Sequence, residues 1–90
     1  MKPEWSARAY RDLRGIEHYI AAENDPDSAW KVVSRILETV DLLEANPYLG
    51  RQAERRGRRE LVVGQYVILY SVHRSGVKVV AVTHGAQRKQ

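Results

Sequence analysis

Two apolar stripes with helical spacing fill the first half of the chain, and a turn of only three residues separates them. Ser6 can cap a first helix over residues 6–22, and Asp25 followed by Pro26 starts a second helix. Two amphipathic helices joined so closely must lie antiparallel, as a hairpin with one shared apolar face. The stripes consist of Ala9, Leu13, Ile16 and Ile20 in the first helix and of Ala29, Val33, Ile36, Val40 and Leu43 in the second.

Three runs rich in β-branched residues follow Asn46-Pro47, which ends the second helix. Very short connections join these runs, so they are predicted to pair as antiparallel strands. The middle run is apolar on both faces, which predicts a central position in the sheet. Residues 2–5 can add an edge strand, since Pro3 is tolerated only there. The three runs cover residues 59–63, 66–72 and 77–83.

The predicted fold is a single α+β domain over residues 1–90, in which an N-terminal antiparallel helical hairpin packs on a three- to four-stranded antiparallel sheet. Residues 48–58 are predicted to be a loop. A content of 43% hydrophobic and 29% charged residues is typical of a soluble globular domain. The four aromatic residues expected in the core, or as anchors of the hairpin, are Trp5, Trp30, Tyr66 and Tyr70.

Several classes of function are excluded or disfavoured. The chain has no cysteine, which excludes disulfides and thiolate chemistry. Its N-terminus lacks the apolar run of a signal peptide, and no stretch approaches the roughly 20 apolar residues of a membrane span. We therefore expect a cytoplasmic protein without a membrane partner. His18 and His73 have no acids or thiols at ligand spacing. Neither a metal, a cofactor nor a small-molecule ligand is expected.

Charge divides the chain into a mildly acidic first half and a basic second half. Residues 1–50 carry 6 basic and 9 acidic side chains, a net charge of −3. Residues 51–60 carry five arginines and two glutamates, a net charge of +3, and residues 61–90 carry four basic side chains and no acid. A one-sided basic field attracts nucleic acid or an acidic protein segment, and charge alone favours neither.

Short motifs distributed over nearly the whole chain resemble, in order and spacing, those of ParE-like toxins in the RelE/ParE superfamily. Each motif alone is weakly specific, but the set is typical of the superfamily. The motifs are Trp5-Ser6-x-x-Ala9, Asp12-Leu13-x-x-Ile16, Tyr19-Ile20-Ala21, Asn46-Pro47 with Gly50-Arg51, Gly57-Arg58-Arg59-Glu60-Leu61, Tyr66-Val67-Ile68-Leu69-Tyr70 and Val82-Thr83-His84-Gly85-Ala86.

This resemblance implies the toxin of a type II toxin–antitoxin module, of the kind associated with plasmid stabilization. Its partner would resemble ParD, with a DNA-binding N-terminal part and a flexible C-terminal segment that wraps the toxin, so that operator DNA is contacted only through the complex. ParE-branch toxins poison DNA gyrase, whereas RelE-branch toxins are ribosome-dependent mRNA endonucleases on the same fold. A non-toxic interaction domain is a third alternative, because fold does not determine function.

A ribonuclease of the RelE type needs a base, an acid and cations that hold the phosphate. By resemblance, Arg59 matches the family's sheet arginine and His84 could transfer protons. The C-terminal tail lacks a tyrosine, and the loop 48–58 lacks a lysine. In addition, Gln87 stands where ParE-like chains often carry an arginine, which is found one residue later at Arg88. The incomplete set favours a gyrase-binding toxin that is not an enzyme.

Seven basic residues are candidates for contact with the antitoxin or the target. For the loop arginines the alternative is a solvated surface, for Arg59 a structural ion pair with an acid of the hairpin, and for His84 a histidine that merely ends a strand. The candidates are Arg51, Arg55, Arg56, Arg58, Arg59, His84 and Arg88.

Overall fold

The computed structural model describes residues 2–85, which form two helices packed on a five-stranded sheet. Both helices begin at the predicted residues, because side chains satisfy the free N–H groups of their first turns. Ser6 accepts a hydrogen bond from the backbone N–H of Ala9, and Asp25 accepts one from Ser28. The elements are β1 (Glu4–Trp5), α1 (Ala7–Glu23), α2 (Pro26–Asp41), a 3₁₀ turn (Leu42–Glu44), β2 (Arg51–Gln52), β3 (Arg59–Val63), β4 (Tyr66–His73) and β5 (Gly76–His84).

The sheet has the strand order β1-β5-β4-β3-β2, with β4 in the centre as predicted. Two-residue turns join β3 to β4 and β4 to β5, and both pairs are antiparallel. The register places Arg59 opposite Tyr70 and Tyr66 opposite His84. These pairings set the distance between the candidate residues Arg59 and His84.

Two features of the sheet differ from the prediction of three to four antiparallel strands. β1 pairs in parallel with β5, with Glu4 opposite Lys78, so the sheet is mixed. In sequence, the whole helical hairpin and three other strands separate β1 from β5. Short connections, which predict antiparallel pairing, therefore do not constrain this pair. β2 lies within the predicted loop 48–58 and pairs with β3 over only two residues. Such a short strand leaves no periodic signal in the sequence.

The core lies between the helical hairpin and one face of the sheet, as the two periodicities predicted. Of the apolar residues in the two helical stripes, only Ile16 is partly exposed, and of the two tyrosines expected in the core Tyr70 is fully buried and Tyr66 partly buried. Trp5 packs against the core, but the prediction of Trp30 as an anchor is wrong, because its side chain is 66% exposed. Trp30 follows Ala29 of the buried stripe by one residue, a rotation of about 100° away from the core at 3.6 residues per turn. The main buried residues are Leu13, Ile36, Val40, Ile68, Tyr70 and Val79.

The edge of β5 beyond β1 is closed by side chains of the segment that starts α1. The Ser6 hydroxyl donates to the Val80 carbonyl at 2.9 Å, and the Asp12 carboxylate accepts from the Val82 N–H at 2.9 Å. On the opposite side, β2 covers only Arg59 and Glu60 of β3. Neither described helix is long and apolar enough to cross a membrane.

Candidate functional site: the arginine loop

The loop between β2 and β3 carries three of the six candidate arginines and is held in a defined shape by its own main chain. The Ala53 N–H donates to the Arg58 carbonyl at 2.9 Å, and the Arg58 N–H donates to the Arg55 carbonyl at 3.1 Å. Gly57 has a φ of 79°, a conformation that side-chain-bearing residues rarely adopt. The arginines of this loop are therefore presented by an ordered turn.

Arg51 is engaged in an ion pair that sequence reasoning did not identify. Its Nε donates to Oε1 of Glu60 at 2.7 Å, and the Glu60 side chain is only 5% exposed. A carboxylate removed from water needs a cationic or hydrogen-bonding partner. The contact therefore joins β2 to β3 and reduces the capacity of Arg51 to meet a ligand.

Arg59 makes two contacts, neither of them with a carboxylate of the helical hairpin. Its Nε and Nη2 donate to the Gly50 carbonyl at 3.0 and 2.8 Å. The guanidinium carbon also lies 5.1 Å from the centroid of the Tyr48 ring, which is a cation–π arrangement. The arginine of the Arg59-Glu60-Leu61 motif thus holds the segment before β2 against the sheet.

The buried Tyr70 also fixes the segment before β2, from the core side of the sheet. The Gly50 N–H donates to the Tyr70 hydroxyl at 2.8 Å, and that hydroxyl donates to the Pro47 carbonyl at 2.8 Å. A Cβ on Gly50 would lie 2.5 Å from the Glu60 carbonyl oxygen, so only glycine fits. Tyr48, between these two anchored residues, is held in place although its side chain is 67% exposed.

A cavity of about 450 Å³ opens between Tyr48 and the arginine loop. We call this cavity the arginine pocket. Four guanidinium groups and one carboxylate line it, a formal charge of +3. Within the described part of the chain, Arg55, Arg56 and Arg58 make no ion pair. Tyr48 was missed by sequence reasoning because a single exposed aromatic leaves no pattern. The charged and aromatic lining residues are Tyr48, Glu54, Arg55, Arg56, Arg58 and Arg59.

His84 lies far from this pocket, at the opposite end of the sheet. Arg59 and His84 flank β4 on β3 and β5, opposite Tyr70 and Tyr66 respectively. Four residues along β4 separate these positions by about 13 Å, and two strand spacings add about 10 Å across the sheet. The structure therefore does not bring the two candidate catalytic residues together. Arg88 and Gln87 lie outside the described residues.

The surroundings of His84 are aromatic and polar. Its ring meets that of Tyr66 edge-on, with centroids 5.5 Å apart, and its Nε2 lies 3.2 Å from Oε1 of Gln65. Partial burial raises the pKa of Tyr66, because the phenolate is less well solvated there. The phenol thus keeps its proton at neutral pH and cannot serve as a base beside the imidazole.

A second histidine contact was not anticipated from the sequence. The Ser71 hydroxyl and Nε2 of His73 are 2.8 Å apart on the sheet face opposite the helices. The pair has the spacing of a nucleophile and its base. Ser71, however, is buried, with only 4% of its surface exposed, and a substrate carbon or phosphorus cannot reach its oxygen in this conformation.

Two helices in a hairpin on a sheet centred on β4, with an arginine-rich loop beside it, define a small toxin of the RelE/ParE superfamily. A family model described as "ParE toxin of type II toxin-antitoxin system, parDE" matches residues 4–89. The chain belongs to this ParE toxin family.

Relatives of known name and structure are similar over nearly the full chain. A Sinorhizobium fredii protein named "Putative toxin Y4kP" is 40% identical over 93% of this chain and 88% of its own length. The protein "Toxin RelE2" of Caulobacter vibrioides is 35% identical over 92% of this chain and 93% of its own length.

Solved structures show the same fold. A chain of the chromosomal ParDE toxin–antitoxin system of P. aeruginosa matches with a TM-score of 0.84 and 26% identity, over 93% of this chain and 95% of that one. A chain of the RelBE2 complex of Mycobacterium tuberculosis matches with a TM-score of 0.62 and 21% identity, over 93% and 99% of the two chains. The latter similarity concerns the fold alone.

Proposed function

We propose that this protein is a ParE-like toxin that inhibits DNA gyrase by binding, without catalysis, and that a ParD-like antitoxin neutralises it. The observation that carries the proposal is the separation of Arg59 from His84 by the width and length of the sheet core. Gyrase as the target follows from the resemblance to the ParE branch. The cytoplasm, where gyrase acts, is the proposed location.

The positions of the candidate proton donors and acceptors disfavour catalysis. Cleavage of RNA requires a base and an acid, each within hydrogen-bond reach of the reacting oxygens. Arg59 stays protonated and therefore cannot act as the base. Its Nε and Nη2 donate hydrogen bonds to the Gly50 carbonyl. His84 lies at the opposite end of the sheet, so it cannot act on a phosphate that Arg59 holds. A cleavage reaction that lacks its acid or its base at the reacting oxygens loses on the order of 100- to 10,000-fold in rate for each missing group.

The proposal of an antitoxin partner is supported by charge and by the ParDE system to which the P. aeruginosa relative belongs. Residues 51–90 carry a net charge of +7, from +3 over residues 51–60 and +4 over residues 61–90. An acidic, amphipathic segment that folds on binding would complement this surface. Contact with operator DNA is then made by the antitoxin.

Two assays on the purified toxin test the proposal. We expect inhibition of gyrase-driven supercoiling and no cleavage of ribosome-bound mRNA. His84→Ala should keep most of the inhibition, because no proton moves in binding, and addition of the antitoxin should relieve it. Cleavage of mRNA by the wild type that is lost in His84→Ala would establish the enzyme instead.

The second candidate function is a RelE-like mRNA endonuclease. It is favoured by the relative from Caulobacter vibrioides, which is named "Toxin RelE2" and is 35% identical to this chain. The translation-coupled cleavage assay decides between the two functions directly. A protein that is inactive in both assays while it still binds the antitoxin would be a non-toxic interaction domain.

A further inference from the structure

We propose that the arginine pocket binds an unpaired nucleotide, with the base stacked on Tyr48 and the phosphates held by Arg55, Arg56 and Arg58. The inference goes beyond the proposed function and needs neither gyrase nor an antitoxin. Its ligand is a phosphorylated nucleoside, either within a single strand or free in solution.

The exposed ring of Tyr48 lies on a segment whose main chain is hydrogen-bonded on both sides of it. Pro47 and Gly50, on either side of Tyr48 and Leu49, are both hydrogen-bonded to the Tyr70 hydroxyl. Arg59 covers one face of the Tyr48 ring, and two hydrogen bonds to Gly50 fix its guanidinium there. A ring fixed in advance loses little conformational freedom when a ligand stacks on it.

The charge around that ring is strongly positive, because the Glu54 carboxylate offsets only one of the four guanidinium groups. Arg55, Arg56 and Arg58 line the pocket, and within residues 2–85 none of them makes an ion pair. The other acid of residues 51–60, Glu60 of β3, is engaged by Arg51. Like charges at this density repel each other unless an anion lies among them. Phosphate groups accept such guanidinium donors in paired hydrogen bonds.

The combination of ring and charge selects the ligand. A cluster of cations is sufficient to bind an acidic peptide, and such a ligand does not need an aromatic ring to stack on. Proteins that bind single strands combine a basic groove with aromatic rings on which bases stack. A duplex keeps its bases stacked on each other and offers none to Tyr48. The pocket volume of about 450 Å³ is within the range of small-ligand sites, about 300 to 1,000 Å³.

The test is the fluorescence anisotropy of a labelled ten-residue oligothymidylate titrated with the purified protein. Tyr48→Ala should weaken binding by about 5- to 150-fold, the usual effect of losing one stacked base. Tyr48→Phe should bind as the wild type, because the ring is retained. Arg55→Ala and Arg56→Ala should weaken binding and flatten its dependence on salt.

The chain offers a matched control in α1, where the Arg14 guanidinium lies 5.9 Å from the centroid of the Tyr10 ring. Tyr10 is exposed to a similar degree but lies outside the arginine pocket. Tyr10→Ala should leave oligonucleotide binding unchanged. Far-ultraviolet circular dichroism should show that Tyr48→Ala is folded, because the residue lies outside the core.

Competitors identify the source of the nucleotide and can overturn the proposal. Displacement by ATP that depends on Tyr48 supports the site and indicates a free nucleotide, whereas a lack of displacement with Tyr48-dependent oligonucleotide binding indicates a strand. Equal binding of duplex, equal binding of oligoglutamate, or equal loss in Tyr48→Ala and Tyr10→Ala refutes the inference. None of these reactions contains gyrase or ribosomes, so they fail or succeed independently of the proposed function.

Discussion

The hydroxyl of Tyr70 orders the segment before β2, although the ring of this residue lies in the core. The ring is completely buried between the sheet and the helices, and its one polar atom reaches both Gly50 and Pro47. A buried hydroxyl without partners would oppose folding. Here it satisfies two main-chain groups of an otherwise irregular segment, and thereby fixes the position of Tyr48 beside the arginines.

At the residue scale we predict that Tyr70→Phe lowers the free energy of unfolding by about 1–3 kcal/mol, because the buried Gly50 N–H loses its acceptor. The measurement is urea denaturation followed by circular dichroism. Tyr10→Phe is the control, since the hydroxyl of that exposed residue meets only Arg14 at the surface. Equal stability of the two variants would contradict the role assigned to the Tyr70 hydroxyl.

The partners of individual side chains could not be predicted from the sequence. The motif Gly57-Arg58-Arg59-Glu60-Leu61 identified Arg59, yet the partners of Arg59 are a carbonyl and a ring from the preceding segment, and no spacing rule predicts them. Glu60 of the same motif is buried under Arg51, a contact that the sequence did not indicate. Both contacts depend on β2, which is too short to be recognised.

At the scale of elements, the starts of both helices were predictable almost to the residue because they are determined locally, whereas α2 ends at Asp41 and a 3₁₀ turn follows it before the Asn46-Pro47 stop. Ser6 and Asp25 act on N–H groups three residues ahead. The sheet order of β3, β4 and β5 was equally accessible, since two-residue turns allow only one pairing. The parallel pairing of β1 with β5 joins residues more than 70 positions apart, and local patterns carry no information about it.

The cap of α2 yields a prediction about pH. The hydrogen bond from the Ser28 N–H lowers the pKa of Asp25 below its ordinary value of 3.8. A carboxyl with a lowered pKa in the folded state contributes stability above its unfolded pKa, and this contribution is lost as the pH falls through the folded value. The melting temperature of the wild type should therefore decline below about pH 4.

Asp25→Asn separates the charge from the cap, because asparagine also caps helices well. This variant should lose part of the acid-induced decline in melting temperature while α2 stays helical at neutral pH. The comparison is made by thermal denaturation at pH 5 and pH 3. Parallel declines in wild type and variant would show that other carboxyl groups dominate the acid response.

At the scale of the whole molecule, stability depends on one core between the hairpin and the sheet. Ile36 of α2 is completely buried there. Ile36→Ala should cost about 2–5 kcal/mol, through lost burial and the cavity left behind. Trp30→Ala, on the opposite side of the same helix, should change stability by less than about 1 kcal/mol. Chemical denaturation measures both, and a larger loss for Trp30→Ala would contradict the assigned core.

The basic second half leads to a prediction about association kinetics. The rate constant for binding an acidic antitoxin segment should fall as the ionic strength rises, because salt screens the exposed charges that steer the encounter. Arg55→Ala combined with Arg56→Ala should reduce this dependence, whereas Arg14→Ala in α1 should not. Stopped-flow fluorescence measures the rate. A rate constant that is indifferent to salt would rule out electrostatic steering.

The two margins of the sheet differ in whether they accept another strand. Along β5, Ser6 and Asp12 occupy main-chain groups that a neighbouring chain would use. Along β3, residues 61–63 extend beyond β2, and Val62 there is 58% exposed. Among the described residues no strand covers this part of β3 on its outer side, so a further strand can pair there. An extended segment that pairs there lies at the His84 end of the sheet, since Val63 is opposite Tyr66 and Tyr66 is opposite His84. The arginine loop precedes Arg59 at the other end of β3, so a partner that lengthens the sheet leaves that loop open to a second ligand.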